Sequence, residues 1–284
     1  MSLPVLAVLA EDGPHLVDPE QPLIRADDLG VVRGEGVFET ARAADGHAFV
    51  LDAHLARMRH SATAIGLSLP PEVDLLALSV AALDGFGPAE ASLRLVATKG
   101  PAGAGVGRVF ALVTPVDSAY ARMREQGIAA VTLTLGVAAA LRPQAPWLLG
   151  GVKSTSYATA MAGLRAAVAG GADDAIWVSG DGEVLEAPTA TVLVVHGGLA
   201  ASPPADEVGI LPGTTIAALG KAVVRRRISV DELRDADEVA LASSVRGVVP
   251  VVRLDGAPVG AGSVGPVVAG LRDALEHAFH APVR

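Results

Sequence analysis

Cysteine is absent from the 284-residue chain, which excludes disulfide bonds, thiolate catalysis and cysteine-bound zinc. Aromatic residues are scarce as well: five Phe, two Tyr and two Trp leave few rings for base stacking. The net charge is −9, and no basic run is longer than Arg225–Arg227. These features disfavour a nucleic-acid partner, which would need clustered Lys and Arg.

Long hydrophobic runs are also missing. The longest weakly polar stretch, Ile128–Leu141, has 14 residues, which is too short to cross a bilayer core. The chain carries no positive charge before Arg25 and therefore lacks the basic region of a signal peptide. We expect a cytoplasmic protein with no membrane partner. His277 and His280 lie at helical spacing without a third ligand, so no metal site is predicted.

Hydrophobic residues make up 51% of the chain, enough to bury a large core. At roughly 150 residues per domain, the length suggests two modest domains or one large domain. A polar and charged stretch at 114–126 indicates the boundary, and it predicts an N-terminal domain over 1–117 and a C-terminal domain over 118–284. Strand and helix patterns occur in both halves, so the predicted fold class is α+β with two lobes.

Several local patterns give specific predictions. Apolar residues recur every three or four positions after Asp52, which predicts a helix with Asp52 as its N-cap. A second helical pattern covers Ser154–Ala169. Three short strands are predicted around a glycine turn, at 175–178, 184–187 and 191–195.

Lysine is rare, since the chain has only Lys99, Lys153 and Lys221. Lys153 follows Gly150–Val152 among small and apolar neighbours, at the start of a predicted helix. Burial of an amine favours its neutral form, which is the form that attacks a carbonyl in Schiff-base chemistry. The alternative is an ordinary lysine that faces solvent just inside a helix.

Glu186 lies between apolar residues in a predicted strand. A carboxylate there is costly unless it has a partner, and a protonated pyridine nitrogen would be a suitable one. Such a pairing would make the pyridine ring an electron sink. The alternative is a glutamate at a strand edge that points to water.

Three features could hold a phosphate. The segment Gly209–Thr215 ends in Gly-Thr-Thr at a predicted helix start, where backbone N–H groups and hydroxyls lie together. Ser243 and Ser244 close a strand with two more hydroxyls, and Arg57 could grip a phosphate with two parallel hydrogen bonds. Each signal alone is weak, because a Gly-Thr-Thr helix start is usually only a cap.

The order of these motifs resembles the class IV pyridoxal-phosphate-dependent aminotransferase family. This family includes branched-chain aminotransferases, D-amino acid aminotransferases and 4-amino-4-deoxychorismate lyases. The resemblance runs from about Asp27 to the last helix and rests on Arg57, Gly150–Lys153, Glu186–Thr189, Gly209–Thr215 and Ser243-Ser244 ahead of Val249–Val251. It implies a fold-type IV enzyme like D-amino acid aminotransferase, a homodimer with pyridoxal 5′-phosphate between two lobes and a small-molecule substrate.

The resemblance also implies a role for each matching residue. Lys153 would be the Schiff-base lysine and proton shuttle, Glu186 the partner of the pyridinium nitrogen, and Arg57 the phosphate clamp. Tyr157 would bond the ring hydroxyl of the cofactor. The remaining phosphate ligands would be the hydroxyl residues Thr214, Thr215, Ser243 and Ser244.

Two positions depart from the family pattern. The chain has Thr189–Thr191 where many members have Ser-Asn, which removes one polar contact near the site. Lys99 stands where relatives often have Arg, so the site for the substrate carboxylate is expected to differ.

The reaction is indicated by the run Ala240–Pro250, which resembles the Ser-Leu/Val-Arg-Gly stretch of aminodeoxychorismate lyases. The resemblance therefore implies a lyase that converts 4-amino-4-deoxychorismate to pyruvate and 4-aminobenzoate for folate synthesis. The dianionic substrate would need cations, for which Lys99, Arg108 and Arg246 are candidates. One alternative is a class IV aminotransferase acting on D-amino or branched-chain amino acids. Another is a non-catalytic dimer, although the joint retention of the site residues argues against it.

Overall fold

The computed structural model describes residues 3–104 and 107–281, and the chain divides into two compact units. The first unit consists of Met1–Asp117 and Val152–Tyr157. The second consists of Ser118–Gly151 and Ala158–Arg284. This division differs from the predicted one at 152–157, which the sequence assigned to the C-terminal domain.

The first unit is built on an antiparallel six-stranded sheet with the strand order β2-β1-β6-β5-β3-β4. Helix α3 packs on β1, β2 and β6, and helix α2 packs on β3. The elements along the chain are β1 (Val5–Ala10), β2 (Gly13–Val17), α1 (Leu29–Val32), β3 (Gly36–Ala44), β4 (His47–Ala48), α2 (Leu51–Ala64), α3 (Glu72–Phe86), β5 (Ala91–Thr98) and β6 (Val109–Pro115).

The core of this unit follows from the two periodicities of its sequence. Side chains three apart on α2 and α3 meet every second side chain of β5, and this set is fully buried: Leu55, Met58, Leu75, Leu78, Leu93 and Leu95. The helix predicted after Asp52 is present, but the predicted N-cap is wrong. Val50 occupies the N-cap position in the left-handed conformation, with φ 46°. Asp52 lies in the first turn, where its charge favours the helix dipole.

Residues 152–157 belong to the first unit because they pair with β3. The N–H of Phe38 donates to the carbonyl oxygen of Lys153, with a distance of 3.1 Å. The helix predicted from Ser154 therefore begins only at Ala158. As a result, Lys153 lies outside the helix, one residue before the isolated bridge between Ser154 and Val37.

The second unit contains a mixed sheet in the order β11-β10-β9-β12-β13-β7-β8, with β14 pairing with β13. Strand β7 runs parallel to β8 and β13, and β10 runs parallel to β11. The elements are α4 (Ala119–Gln126), β7 (Ile128–Thr134), α5 (Ala158–Ala169), β8 (Asp174–Val178), β9 (Thr191–His196), β10 (Leu199–Ser202), α6 (Ala205–Val208), α7 (Thr214–Ala218), β11 (Val223–Arg225), α8 (Val230–Arg234), β12 (Glu238–Ser243), β13 (Gly247–Leu254), β14 (Ala257–Pro258) and α9 (Pro266–Phe279).

The predicted strand at 184–187 is wrong. Val184 and Glu186 form only isolated bridges, with Val178 and Thr191 respectively, so no continuous ladder develops. The chain reverses direction sharply at Gly182, with φ +83°. The segment 184–187 therefore lies close to β8 but does not run along its full length. Within the part of the chain that the structure describes, no helix has the length and apolar character needed to span a bilayer.

The glycines within the helices generate a stability prediction. Gly163 of α5 is buried, and a methyl group on its Cα would overlap the far edge of the Trp177 indole. Gly163→Ala should therefore lower the free energy of unfolding by about 1–3 kcal/mol, because overpacking outweighs the gain in helix propensity. Urea denaturation measures this change.

Gly270 of α9 is the matched control, because it is exposed and a methyl group there would meet no atom within 4 Å. Gly270→Ala should raise the free energy of unfolding by about 0.5–1 kcal/mol. The Gly163→Ala penalty should also shrink in a Trp177→Phe background, where the overlapping ring atoms are gone. Equal stabilisation by both alanines would contradict the close packing of α5 on Trp177.

Candidate active site

The side chain of Lys153 lies against two aromatic rings of the first unit. Its Nζ is 4.3 Å from the Phe38 ring centroid and 5.6 Å from the Tyr157 ring centroid. The two rings pack edge to face, 5.2 Å apart. The backbone N–H of Lys153 donates to Ser61 Oγ at 3.0 Å, so the lysine is anchored on both sides of its backbone. These contacts place the Lys153 amine beside the Tyr157 ring.

Arg57 belongs to a buried cluster of charged side chains. Its Nε and Nη2 donate to the two carboxylate oxygens of Glu39, both at 2.7 Å. His54 Nδ1 lies 2.7 Å from the same carboxylate. The arrangement arises because Glu39 is on the face of β3 that meets α2, while His54 and Arg57 are three residues apart on that helix.

The Glu39 carboxylate is held as an anion by this cluster. Burial alone would raise the pKa of Glu39, but the hydrogen bonds and positive charge from Arg57 and His54 outweigh burial and lower it to about 2. Glu39 is only 1% exposed, so the ion pair is screened little by water. Glu39 was not among the predicted site residues. Its place among the alternating apolar residues of β3 could have identified it as a buried carboxylate.

Glu186 is held by the second unit. Its Oε2 accepts a hydrogen bond from the backbone N–H of Leu211 at 3.2 Å. Its backbone carbonyl accepts from the N–H of Trp177 at 2.8 Å, which anchors the residue beside β8. The carboxylate therefore meets the segment Gly209–Thr215, as expected for two motifs that serve one site.

Two of the predicted phosphate-binding hydroxyls also meet. Thr214 Oγ1 lies 3.2 Å from Ser244 Oγ, so the start of α7 and the end of β12 come together. Thr215 is buried in the first turn of α7, and Ser243 pairs with Gly247 across the turn between β12 and β13. These hydroxyls come from the turns predicted to supply them.

The predicted substrate-binding cations of the first unit already have partners. Lys99 Nζ lies 2.5 Å from Glu35 Oε2 and donates to the carbonyl oxygen of Ile65 at 3.3 Å. Arg108 Nε donates to the carbonyl oxygen of Leu23 at 3.1 Å. The lysine in place of arginine thus lies in an ion pair.

Arg246 of the second unit is also engaged. Its Nη1 donates to the buried Asp174 carboxylate at 2.7 Å, and its Nη2 donates to Thr189 Oγ1 at 3.0 Å. Thr189 belongs to the segment that departs from the family pattern. Arg246 therefore ties this segment to the start of β8, and its charge is balanced by Asp174.

Arg94 is a cation that sequence analysis missed. It is exposed on β5, where it lies directly opposite Thr40 of β3 in the strand register. Its side chain is therefore on the same face of the sheet as Phe38. Its guanidinium carbon is 5.7 Å from the Phe38 ring centroid. The alternation of β5 marks Arg94 as outward-facing, but the pairing register that brings it next to Phe38 is not visible in the local sequence.

Comparisons with known proteins identify the family of this chain. The family model for class IV amino-transferases matches residues 36–254. A bifunctional aminodeoxychorismate lyase / D-amino acid transaminase of Mycobacterium tuberculosis is 36% identical, covering 94% of this chain and 98% of that protein. A D-alanine aminotransferase of Staphylococcus aureus is 29% identical, covering 92% and 94%. The PLP-bound form of a hypothetical aminotransferase from M. tuberculosis superposes with a TM-score of 0.89 at 33% identity, covering 98% and 99%.

The buried cluster generates a pH prediction. The pKa of Glu39 in the folded protein, about 2, lies below the ordinary 4.5, so its ionised carboxylate contributes stability above pH 4.5. That contribution is lost as the pH falls through the folded-state pKa. The stability difference between the wild type and Glu39→Gln should therefore shrink by about 3 kcal/mol between pH 5 and pH 2. Urea denaturation across this range measures it.

Glu72→Gln is the matched control, because Glu72 forms an exposed ion pair with Arg59 of α2. Its effect on stability should be small and should change little over the same range. A wild-type advantage over Glu39→Gln that stays constant from pH 5 to pH 2 would contradict the assignment of Glu39 as a buried anion.

Proposed function

We propose, since this chain belongs to the class IV aminotransferase family, that it is a pyridoxal 5′-phosphate-dependent 4-amino-4-deoxychorismate lyase. The family and the fold-type IV α+β architecture expected from the sequence are both confirmed by the similarities described above. The lyase reaction is supported by the 36% identity to the bifunctional M. tuberculosis relative, and the cofactor chemistry by the placement of the Lys153 amine against Phe38 and Tyr157. An amine held in this way suits a residue that must both bond a carbonyl and move a proton.

The residues of the second unit have the hydrogen-bond donors and the negative charge that the cofactor needs. Gly213 precedes α7, and a methyl group on its Cα would come within 2.5 Å of Thr191 Oγ1, so only glycine is accommodated at this helix start. The backbone there and the paired hydroxyls of Thr214 and Ser244 form a donor set suited to a phosphate. Glu186 supplies the anion that a protonated ring nitrogen requires.

The residues of the first unit fit as well. Arg57 would hold the phosphate by hydrogen bonds, and Glu39, which balances the charge of that guanidinium, fixes its orientation through two hydrogen bonds. The phenol of Tyr157, beside Lys153, would bond the ring hydroxyl. Bound pyridoxal 5′-phosphate supplies an aldehyde for the substrate amine and a ring that withdraws electrons.

Lys153 then acts as the base. Its Nζ would take the proton from the ring carbon of the substrate that carries the amino group. Loss of this proton makes the ring aromatic as the enolpyruvyl group leaves. The leaving group becomes pyruvate on gaining one proton, so no external oxidant or amino acceptor is needed.

The carboxylates of the substrate need a cation, and we assign Arg94 to this role. Lys99 and Arg246 are each paired with a carboxylate, so their charges are balanced locally. Arg94 instead lies beside the Phe38 ring, which also contacts Lys153. A guanidinium there would bind a planar carboxylate with two hydrogen bonds near the reacting amine.

The alternative function is transamination of D-amino acids. It is supported by the double name of the M. tuberculosis relative and by the S. aureus D-alanine aminotransferase. Both reactions would use Lys153 and Glu186 in the same way. They differ in the substrate and in the need for a second keto acid as the amino acceptor.

Borohydride trapping tests the role of Lys153. After incubation with pyridoxal 5′-phosphate, reduction should attach the cofactor permanently to Lys153, and peptide mass spectrometry locates it. Lys153→Ala should lose the label and turnover while remaining folded. Lys221→Arg is the matched control and should label like the wild type, whereas a label on Lys99 or Lys221 would show that Lys153 is misassigned.

Product analysis tests the reaction. With 4-amino-4-deoxychorismate and no amino acceptor, the enzyme should release equal amounts of pyruvate and 4-aminobenzoate. Arg94→Gln should raise KM for this dianion by about tenfold, because a charged hydrogen bond is lost. Arg25→Gln removes an exposed cation of the same unit whose charge Asp27 already balances, and it should change KM little. Transfer from D-alanine to 2-oxoglutarate without any 4-aminobenzoate would replace the lyase assignment with the transaminase.

A further inference from the structure

Arg142 is an arginine of the second unit that the proposed chemistry leaves without a role. It directly follows a short 3-10 turn, Ala139–Leu141, and is partly buried. Its Nε donates to the carbonyl oxygens of Val208 and Gly209, both at 3.1 Å, and its Nη2 donates to Gly209 at 2.8 Å. The guanidinium therefore caps the last carbonyls of α6.

The backbone at Gly209 is enclosed tightly. Gly209 has φ +62°, and a methyl group on its Cα would come within 2.7 Å of Arg142 Cβ. On the other side, a methyl group on Gly150 would come within 2.5 Å of the Gly209 carbonyl oxygen. The turn thus lies between Arg142 and Gly150, and the hydrogen bonds of Arg142 fix where the chain continues.

The chain that leaves this turn reaches Glu186. Two residues after Gly209, the N–H of Leu211 donates to Glu186 Oε2. Arg142 also acts on Glu186 by charge: burial, the larger effect, lowers the pKa of Arg142, and the negative charge of Glu186 opposes that shift. The Glu186 carboxylate therefore lies within electrostatic reach of the Arg142 guanidinium.

We propose that Arg142 is a positioning residue: by fixing the turn at Gly209 it holds the N–H of Leu211 on Glu186 and so orients this carboxylate toward the ring nitrogen of the cofactor. The inference rests on the proposed function, in which Glu186 pairs with that nitrogen. A well-oriented carboxylate accepts a strong, charge-assisted hydrogen bond from a protonated nitrogen, whereas a neutral acid is a weaker acceptor. Arginine suits the position because its planar guanidinium donates to two carbonyl oxygens and stays charged. Lysine has no such planar set of donors.

A cofactor analogue isolates this role. In 1-deazapyridoxal 5′-phosphate a C–H group replaces the ring nitrogen, while the phosphate and aldehyde are retained. Wild-type apoprotein should bind pyridoxal 5′-phosphate about tenfold more tightly than the analogue, because only the former meets Glu186 as a partner. Isothermal titration calorimetry on the full-length apoprotein measures both affinities without requiring turnover.

Arg142→Met should reduce this preference to nearly one, mainly by weakening pyridoxal 5′-phosphate. Glu186→Gln should do the same, and the double variant should show no further loss, because both residues act through one interaction. Arg142→Lys should retain part of the preference and serves if Arg142→Met does not fold. Arg272→Met is the matched control, since Arg272 also donates to a backbone carbonyl, that of Arg124, and its variant should keep the wild-type ratio.

Two results would overturn the inference. Equal weakening of both compounds in Arg142→Met would mean that Arg142 only supports the loop, and an unchanged ratio would mean that it does not act on Glu186. Failure of the proposed lyase reaction is distinguishable, because the affinity ratio is measured without turnover and product analysis tests the reaction separately.

Discussion

A charged side chain removed from water costs several kcal/mol unless a partner of opposite charge or a set of hydrogen bonds compensates it. This constraint organises the candidate site residues in each unit. Glu39 is buried in the first unit only because Arg57 and His54 meet it from one face of α2. In the second unit, Asp174 is matched by Arg246, and Glu186 by the N–H of Leu211 together with the charge of Arg142.

Much of the fold could be predicted from local patterns. The strand at Ala91–Thr98 and the helix that starts at Gly213-Thr214 follow from alternation and helix-start chemistry. The segment 152–157 could not be predicted in this way. Its residues are compatible with a helix start, but pairing with β3, far away in sequence, makes them extended. Long-range hydrogen bonding overrode the local preference there.

The candidate site divides in the same manner. Lys153 and Glu186 could be found because each is unusual in its own surroundings, one by the rarity of lysine and the other as a carboxylate among apolar residues. Arg94 and Arg142 carry no such mark, since the chain has nineteen arginines. Their importance depends on the register of β5 on β3 and on the contact with Gly209, and neither is encoded in nearby residues.

The partner of each arginine determines how much charge it can offer elsewhere. Arg246 is paired with Asp174, so little net charge remains to act on a neighbouring group. Arg142 donates to carbonyl oxygens, which carry no net charge, so these partners do not balance its positive charge. Both side chains hold loops together through hydrogen bonds, but only Arg142 also has a charge that its hydrogen-bond partners leave unbalanced. The same distinction explains why Arg94, beside an aromatic ring, suits an anionic substrate better than Lys99, whose charge Glu35 already balances.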